Sequence, residues 1–106
     1  MKYYAIGELD FTDQAWVASY VKNVTRMVEQ RGGRYLARTS RVDQLEGDAK
    51  PAQLVVIIEW PSRQIAQEFY DSVEYRQYRD SRQAGTNSRF RLVAGEDVAR
   101  AAQIPE

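Results

Sequence analysis

Gln53-Leu54-Val55-Val56-Ile57-Ile58-Glu59-Trp60-Pro61-Ser62 decides the fold of this chain. Its apolar residues, Leu54 to Ile58, run without a break, and all but the first are β-branched. A half-buried strand alternates apolar with polar. A run that is apolar at both parities reads as a strand covered on both faces. Pro61-Ser62 ends it and opens a helix, because a Ser oxygen accepts from the free N–H groups of a first helical turn. The rest of the chain is placed by how it covers this strand.

Upstream, residues 2 to 10 read as a strand through Tyr3, Tyr4, Ala5, Ile6 and Leu9. A helix is expected from Asp13 to Arg31, capped by Thr12 or Asp13. Trp16, Tyr20, Val24 and Met27 recur at helical spacing, Val17, Val21 and Val28 widen the stripe, and Gly32-Gly33 ends it. Trp16, Tyr20 and Met27 are assigned to the core. Arg34 to Arg38 begins a second strand, with Tyr35, Ala37 and Thr39 on one face and Arg34, Leu36 and Arg38 on the other. The polar interruption at Ser40-Arg41 marks an edge strand with a bulge, resuming through Val42 and Leu45. Downstream, Ile65, Ala66, Phe69 and Tyr70 form the apolar face of a short helix. Ser72 caps another from Val73 to Arg82, residues 84 to 88 form a loop, and residues 89 to 94 a last strand. Residues 97 to 103 are expected to make one or two helical turns.

The order β-α-β-β-α-β is the ferredoxin-like pattern. It is an α+β fold whose antiparallel sheet, in the order 4-1-3-2, puts the apolar strand in the centre. Residues 1 to 95 make the domain and 96 to 106 a tail. Two helices cover one sheet face, yet the central strand is apolar on both. At about 25 cal/mol per Å² of apolar surface, an open face of aliphatic side chains leaves several kcal/mol unrealised. A second copy, sheet against sheet, is the simplest cover, and the expected partner is the chain itself in a two-fold homodimer.

Composition narrows the chemistry. The 106 residues carry 15 basic and 15 acidic side chains, and this zero balance argues against nucleic acid as a partner. No Cys and no His is present, which removes thiolate nucleophiles, the usual general base and the usual metal ligands. No metal or cofactor is therefore expected. No apolar run is long enough to span a membrane, and the first residues lack an apolar signal core, so the cytoplasm is the expected location.

Arg31-Gly32-Gly33-Arg34-Tyr35-Leu36-Ala37-Arg38, Leu45-Glu46-Gly47, the stretch from Leu54 to Ser62, Phe69-Tyr70-Asp71-Ser72-Val73-Glu74-Tyr75 and Arg82 keep an order and spacing that resembles the DUF1330 family. The resemblance covers about residues 2 to 95. It implies membership of the dimeric α/β-barrel superfamily, in which two ferredoxin-like sheets close into a barrel. Relatives there include cofactor-free monooxygenases, isomerases and haem-binding proteins. DUF1330 itself has no established reaction, so the resemblance carries fold further than function. Trp60 stands where the family often has Phe, and Val73 where it often has Pro.

The candidate site residues follow from charge set among apolar neighbours. Glu59 is the one charge in the central strand. Buried, it would have a raised pKa and serve as a catalytic base; at a strand end it would be solvated or paired with Arg. Tyr35, Arg38, Glu46 and Glu59 would converge beside the second and third strands, Arg38 holding a carboxylate ligand, unless Arg38 pairs with Glu46 instead. Tyr70, Tyr75 and Arg82 are further ligand-binding candidates. Asp71, Glu74 and Asp80 interleave with the basic residues around them, and Tyr75, Tyr78 and Arg82 fall at packing intervals. The leading expectation is a pocket between sheet and helices for a small anionic or aromatic molecule, in a cofactor-independent oxygenase or isomerase. The alternative is a non-catalytic binding or structural dimer.

Overall fold

The computed structural model describes residues 1–106. The elements run β1 (Tyr3–Phe11), α1 (Val17–Gln30), β2 (Arg34–Thr39), β3 (Leu54–Trp60), α2 (Arg63–Tyr70), α3 (Val73–Gly85) and β4 (Thr86–Ala94). The strands form one antiparallel sheet in the order β2-β3-β1-β4, with the apolar strand in its interior. This is the ferredoxin-like α+β arrangement that the central run demands, and the helices lie on one face of the sheet. The molecule is a slab of 45 × 36 × 17 Å. No helix is long and apolar enough to cross a membrane.

β1 and β3 pair Ala5 with Ile58 and Gly7 with Val56, so Leu9, Val56, Ile58 and Trp60 face the helices. They pack with Val24 and Val28 of α1, Ala66 and Phe69 of α2 and Tyr75 of α3. Phe90 of β4 lies against Gly7, where any Cβ would collide with its ring. Ser62 and Ser72 cap α2 and α3 through their side-chain oxygens, each 3.2 Å from the amide nitrogen of the third residue on. Trp60, Phe69 and Tyr75 pack ring to ring in a tilted series, with centroids 5.3 and 4.5 Å apart.

Several boundaries differ from expectation. α1 starts at Val17 rather than Asp13, and neither Thr12 nor Asp13 caps it. The Thr12 and Asp13 amides donate to the Gly85 carbonyl at 2.9 and 3.1 Å, which holds that segment against the far end of α3. α3 reaches Gly85 and β4 starts at the next residue, so the loop expected over 84 to 88 does not form. β1 is long enough to pair Leu9 with Ser88 and Phe11 with Thr86, and it draws those residues into the sheet. β2 does not resume after Thr39; Val42 and Leu45 are exposed in an irregular connection. Residues 97 to 103 do not coil into a helix. Asp97 accepts from the amides of Ala99, Ala101 and Ala102, and Arg100 takes a left-handed φ of 55°.

β2 does carry a bulge, but at Leu36 rather than at the Ser40-Arg41 interruption, and it redirects a side chain. Tyr35 pairs with Ile58 but Ala37 with Ile57, leaving Leu36 as the extra residue. One inserted residue inverts the alternation beyond it. Arg38, opposite Val56, therefore shares the helix-facing side with Tyr35 rather than the opposite side.

Candidate functional site

Between the sheet and the helices lies a cavity of about 430 Å³. That is within the range of about 300–1,000 Å³ usual for small-molecule sites. Tyr3, Ile58 and Trp60 form its floor, Val24 and Val28 one wall, and Tyr70 of α2 another. Arg63 is the charged side chain along it; Arg91 adjoins it between Phe90 and Leu92 but shares the other face of the sheet with Ile6, and no carboxylate lines it. A more open depression of about 540 Å³ at the Ser88 end of the sheet is almost wholly polar, and lacks the apolar walls that retain an organic ligand. No group of three or more acidic side chains is gathered to hold a metal ion.

The polar end of the apolar cavity is a pair of tyrosines. The Tyr20 and Tyr75 hydroxyls are 2.6 Å apart, and either is able to donate. α1 brings Tyr20 to this point because it lies one turn before Val24 on the same stripe; α3 brings Tyr75 because Ser72 fixes the start of that helix. Burial pushes the Tyr20 hydroxyl well above the ordinary tyrosine range, and the neighbouring Tyr75 adds to it.

Behind the pair sits Arg82, 2% exposed. One terminal nitrogen donates to Ser88 Oγ at 2.9 Å, and the guanidinium lies 4.3 Å from the centre of the Phe90 ring. Its Nε has no partner, and it forms no ion pair with any Asp or Glu. Burial works against its charge. Tyr75 and Tyr20 counter this and raise its pKa, but they do so fully only as tyrosinates; at neutral pH they offer dipoles alone.

Glu59 lies on the other face of the sheet. It is held by Lys2 at 2.7 Å and Arg34 at 3.0 Å, with its side chain 13% exposed. The hydrogen bond from Lys2 does most to keep its pKa below the usual carboxylate range; Arg34 assists and partial burial opposes. A carboxylate held this firmly ionised is a weak base.

The four residues expected to converge do not. Tyr35 and Arg38 come together on the helix-facing side, the guanidinium 4.5 Å from the ring centre, and Arg38 also donates to Thr25 Oγ1 at 3.0 Å. Glu46 is exposed in the irregular connection and makes no ion pair with Arg38. Glu59 is separated from Arg38 by the sheet itself. Of the other candidates, Tyr70 and Tyr75 line the cavity and Arg82 stands behind Tyr20 and Tyr75. Tyr20, assigned from sequence to the core alone, also belongs to the site. A hydroxyl in the middle of an apolar stripe needs a buried partner, and that signal was present in the sequence.

The profile described as "Domain of unknown function (DUF1330)" matches residues 2–96. The chain belongs to the DUF1330 family. No curated protein matches it. Among solved structures it is similar to the RPA0582 protein of unknown function from Rhodopseudomonas palustris, with a TM-score of 0.73 and 21% identity over 87% of this chain and 80% of that one. It is also similar to SnoaB, a cofactor-independent oxygenase from Streptomyces nogalater, with a TM-score of 0.65 and 11% identity over 93% and 97% of the two chains. An antibiotic biosynthesis monooxygenase gives a TM-score of 0.58 and 18% identity over 92% of this chain and all of that one. At such identities the likeness is one of fold.

Proposed function

We propose that this DUF1330 protein is a cytoplasmic homodimer, joined through its open sheet face, that binds a small aromatic molecule in the cavity between sheet and helices. The observation that carries the binding reading is the cavity itself, apolar on nearly every wall and closed at one end by the Tyr20–Tyr75 pair. Tyr70, Tyr75 and Arg82 are the functional candidates. Tyr35 and Arg38 serve the adjoining edge, and Glu46 and Glu59 fall outside the site. Residues 1 to 95 are the working domain and the tail is accessory.

The homodimer rests on the bare face. Tyr4, Ile6, Val55, Ile57 and Val93 share it, with Arg91 beside Ile6, Lys2–Glu59–Arg34 at one end and Glu8–Arg89 at the other. Only 14 of the 106 residues are buried in one chain, so a second copy would supply much of the missing cover. A solution mass of a single chain, 12.3 kDa, at micromolar concentration would sink this reading.

A cofactor-independent oxygenase or isomerase is the catalytic form of the same proposal, supported by tyrosine donors and a cation at the end of a mostly apolar cavity. The absence of a carboxylate on the cavity wall favours a non-catalytic binder or a substrate that arrives already ionised. The test of binding is a thermal-shift screen of small aromatic molecules against the wild type and Gln67→Trp, which narrows the mouth. A ligand at 100 times its Kd should stabilise the wild type by about 2.7 kcal/mol and leave the variant unshifted. Equal shifts in both would place binding elsewhere.

A further inference from the structure

We propose that the Tyr20–Tyr75 end of the cavity is a carboxylate-recognition site, and that the ligand is a planar aromatic acid whose ionised head meets hydroxyl donors backed by Arg82. The inference rests on the binding reading above and adds the chemical class of the ligand.

Arg82 is the unexplained group in the molecule. A buried guanidinium normally has a carboxylate beside it, because an unmatched charge in a low-dielectric interior is costly. Here the neighbours are Ser88, the Phe90 face and two phenols, all neutral, and Nε is left over. Lys2, Arg31, Arg34 and Arg89, all more exposed, each have an acidic partner. The buried cation lacking a counter-charge stands beside the wall of the apolar cavity, and an anion in that cavity would supply what is missing.

The polarity of the tyrosine pair points the same way. A guanidinium has donors only, so its charge turns the phenol oxygens toward it and their protons away. One of the two protons is used in the 2.6 Å bond between the hydroxyls. The other is free to reach into the cavity as a donor. Tyr20 stays protonated, because burial disfavours its anion. The end of the cavity thus presents a donor with positive charge behind it, which suits an oxygen bearing negative charge.

The missing carboxylate on the wall selects among such oxygens. With no base there to remove a proton, the ligand has to arrive ionised. A carboxylic acid, with an ordinary pKa near 4, meets that condition at neutral pH, whereas a simple phenol, near 10, does not. The aromatic walls, Trp60 and Phe69 packed at a tilt of 31° with Tyr70 also on the lining, accept a flat ring skeleton behind the head group.

The test uses the full-length chain and two isosteric probes, 2-naphthoate and 2-naphthamide, titrated calorimetrically at pH 7.5 into the wild type, Tyr75→Phe and Arg82→Met. The wild type is expected to bind the acid at least about tenfold more tightly than the amide, the increment of a single charge-assisted hydrogen bond. Both variants should bring acid and amide to within about twofold of each other, the acid losing the larger share of its affinity. If Arg82→Met fails to fold by circular dichroism, Tyr75→Phe, which keeps its ring in the core, decides the matter alone. Equal affinities in the wild type would overturn the carboxylate site and leave the cavity reading standing. An acid preference that survives both substitutions would overturn the assignment to this end and move it to Arg63. If neither probe binds, the cavity reading fails and this inference with it.

Discussion

Glu59 and Arg82 lie on opposite sides of one sheet, and the fold treats their charges in opposite ways. Glu59 has two cations within 3.0 Å and keeps an edge on solvent. Arg82 is 2% exposed and has no anion at all. A saturated charge has little left to offer a ligand: its field is spent on neighbours, and its pKa has been pushed away from any useful proton transfer. An unsaturated one holds free energy in reserve for whatever pairs with it. Of the two charges, Arg82 and not Glu59 has something left to offer a ligand.

The largest expected contrast between the two sides comes from neighbouring residues. Ile58 faces the helices and is 7% exposed; Ile57 faces away. Ile58→Ala should cost about 2–5 kcal/mol, the usual range for truncating a core aliphatic, read as a urea-midpoint shift. Ile57→Asp should leave the chain folded by circular dichroism but convert it to single chains in sedimentation, because it sets a charge in the middle of the face assigned to the second copy. A dimer that survives Ile57→Asp would remove the open face from the interface. A loss of fold would show that this face is needed within one chain.

A smaller effect separates the two charges themselves. Arg82→Met gives up the Ser88 hydrogen bond and the Phe90 contact, but it also relieves the buried, unmatched cation. These terms oppose each other, and the variant should unfold within about 1 kcal/mol of the wild type while losing any preference for an acidic ligand. A loss of about 3 kcal/mol or more would identify Arg82 as a structural pin between α3 and β4, the outcome expected when a well-paired buried charge is broken.

The sheet was legible from the central run. A strand apolar at both parities has one place in a four-stranded sheet of this order, and the caps at Ser62 and Ser72 were readable as local chemistry. What long-range pairing decides was hidden. The loop expected over 84 to 88 became strand because β1 reaches Phe11 and has to be paired there. Arg38 changed sides because a bulge was readable but its position, at Leu36, was not. The site was only half visible: Tyr75 and Arg82 stood out as candidates, but the partnership of Tyr20 with Tyr75 spans 55 residues of sequence. No local pattern carries that distance.

The smallest expected effects are in pH dependence, and they assign opposite limbs to the two sides. Glu59 has a folded pKa below its ordinary value of 4.5. As pH falls through the interval between them, the unfolded chain takes up a proton before the folded one does, so acid favours unfolding. The stability Glu59 contributes is present above pH 4.5 and lost below it. Asp97, lowered from 3.8 chiefly by the Ala102 amide, acts in the same sense further down. Tyr20 and Tyr35 are raised above 10.0, Tyr20 the more strongly. As pH rises past 10.0 the unfolded phenols ionise first, and stability falls until the folded values are reached. Glu59→Gln should therefore lower Tm at neutral pH, shallow the acid limb and leave the alkaline limb where it is. Tyr20→Phe should do the reverse, flattening the alkaline limb alone. If Glu59→Gln shifts the alkaline limb as well, the two sides of the sheet are coupled, and Glu59 cannot be treated as a local clamp with Lys2 and Arg34.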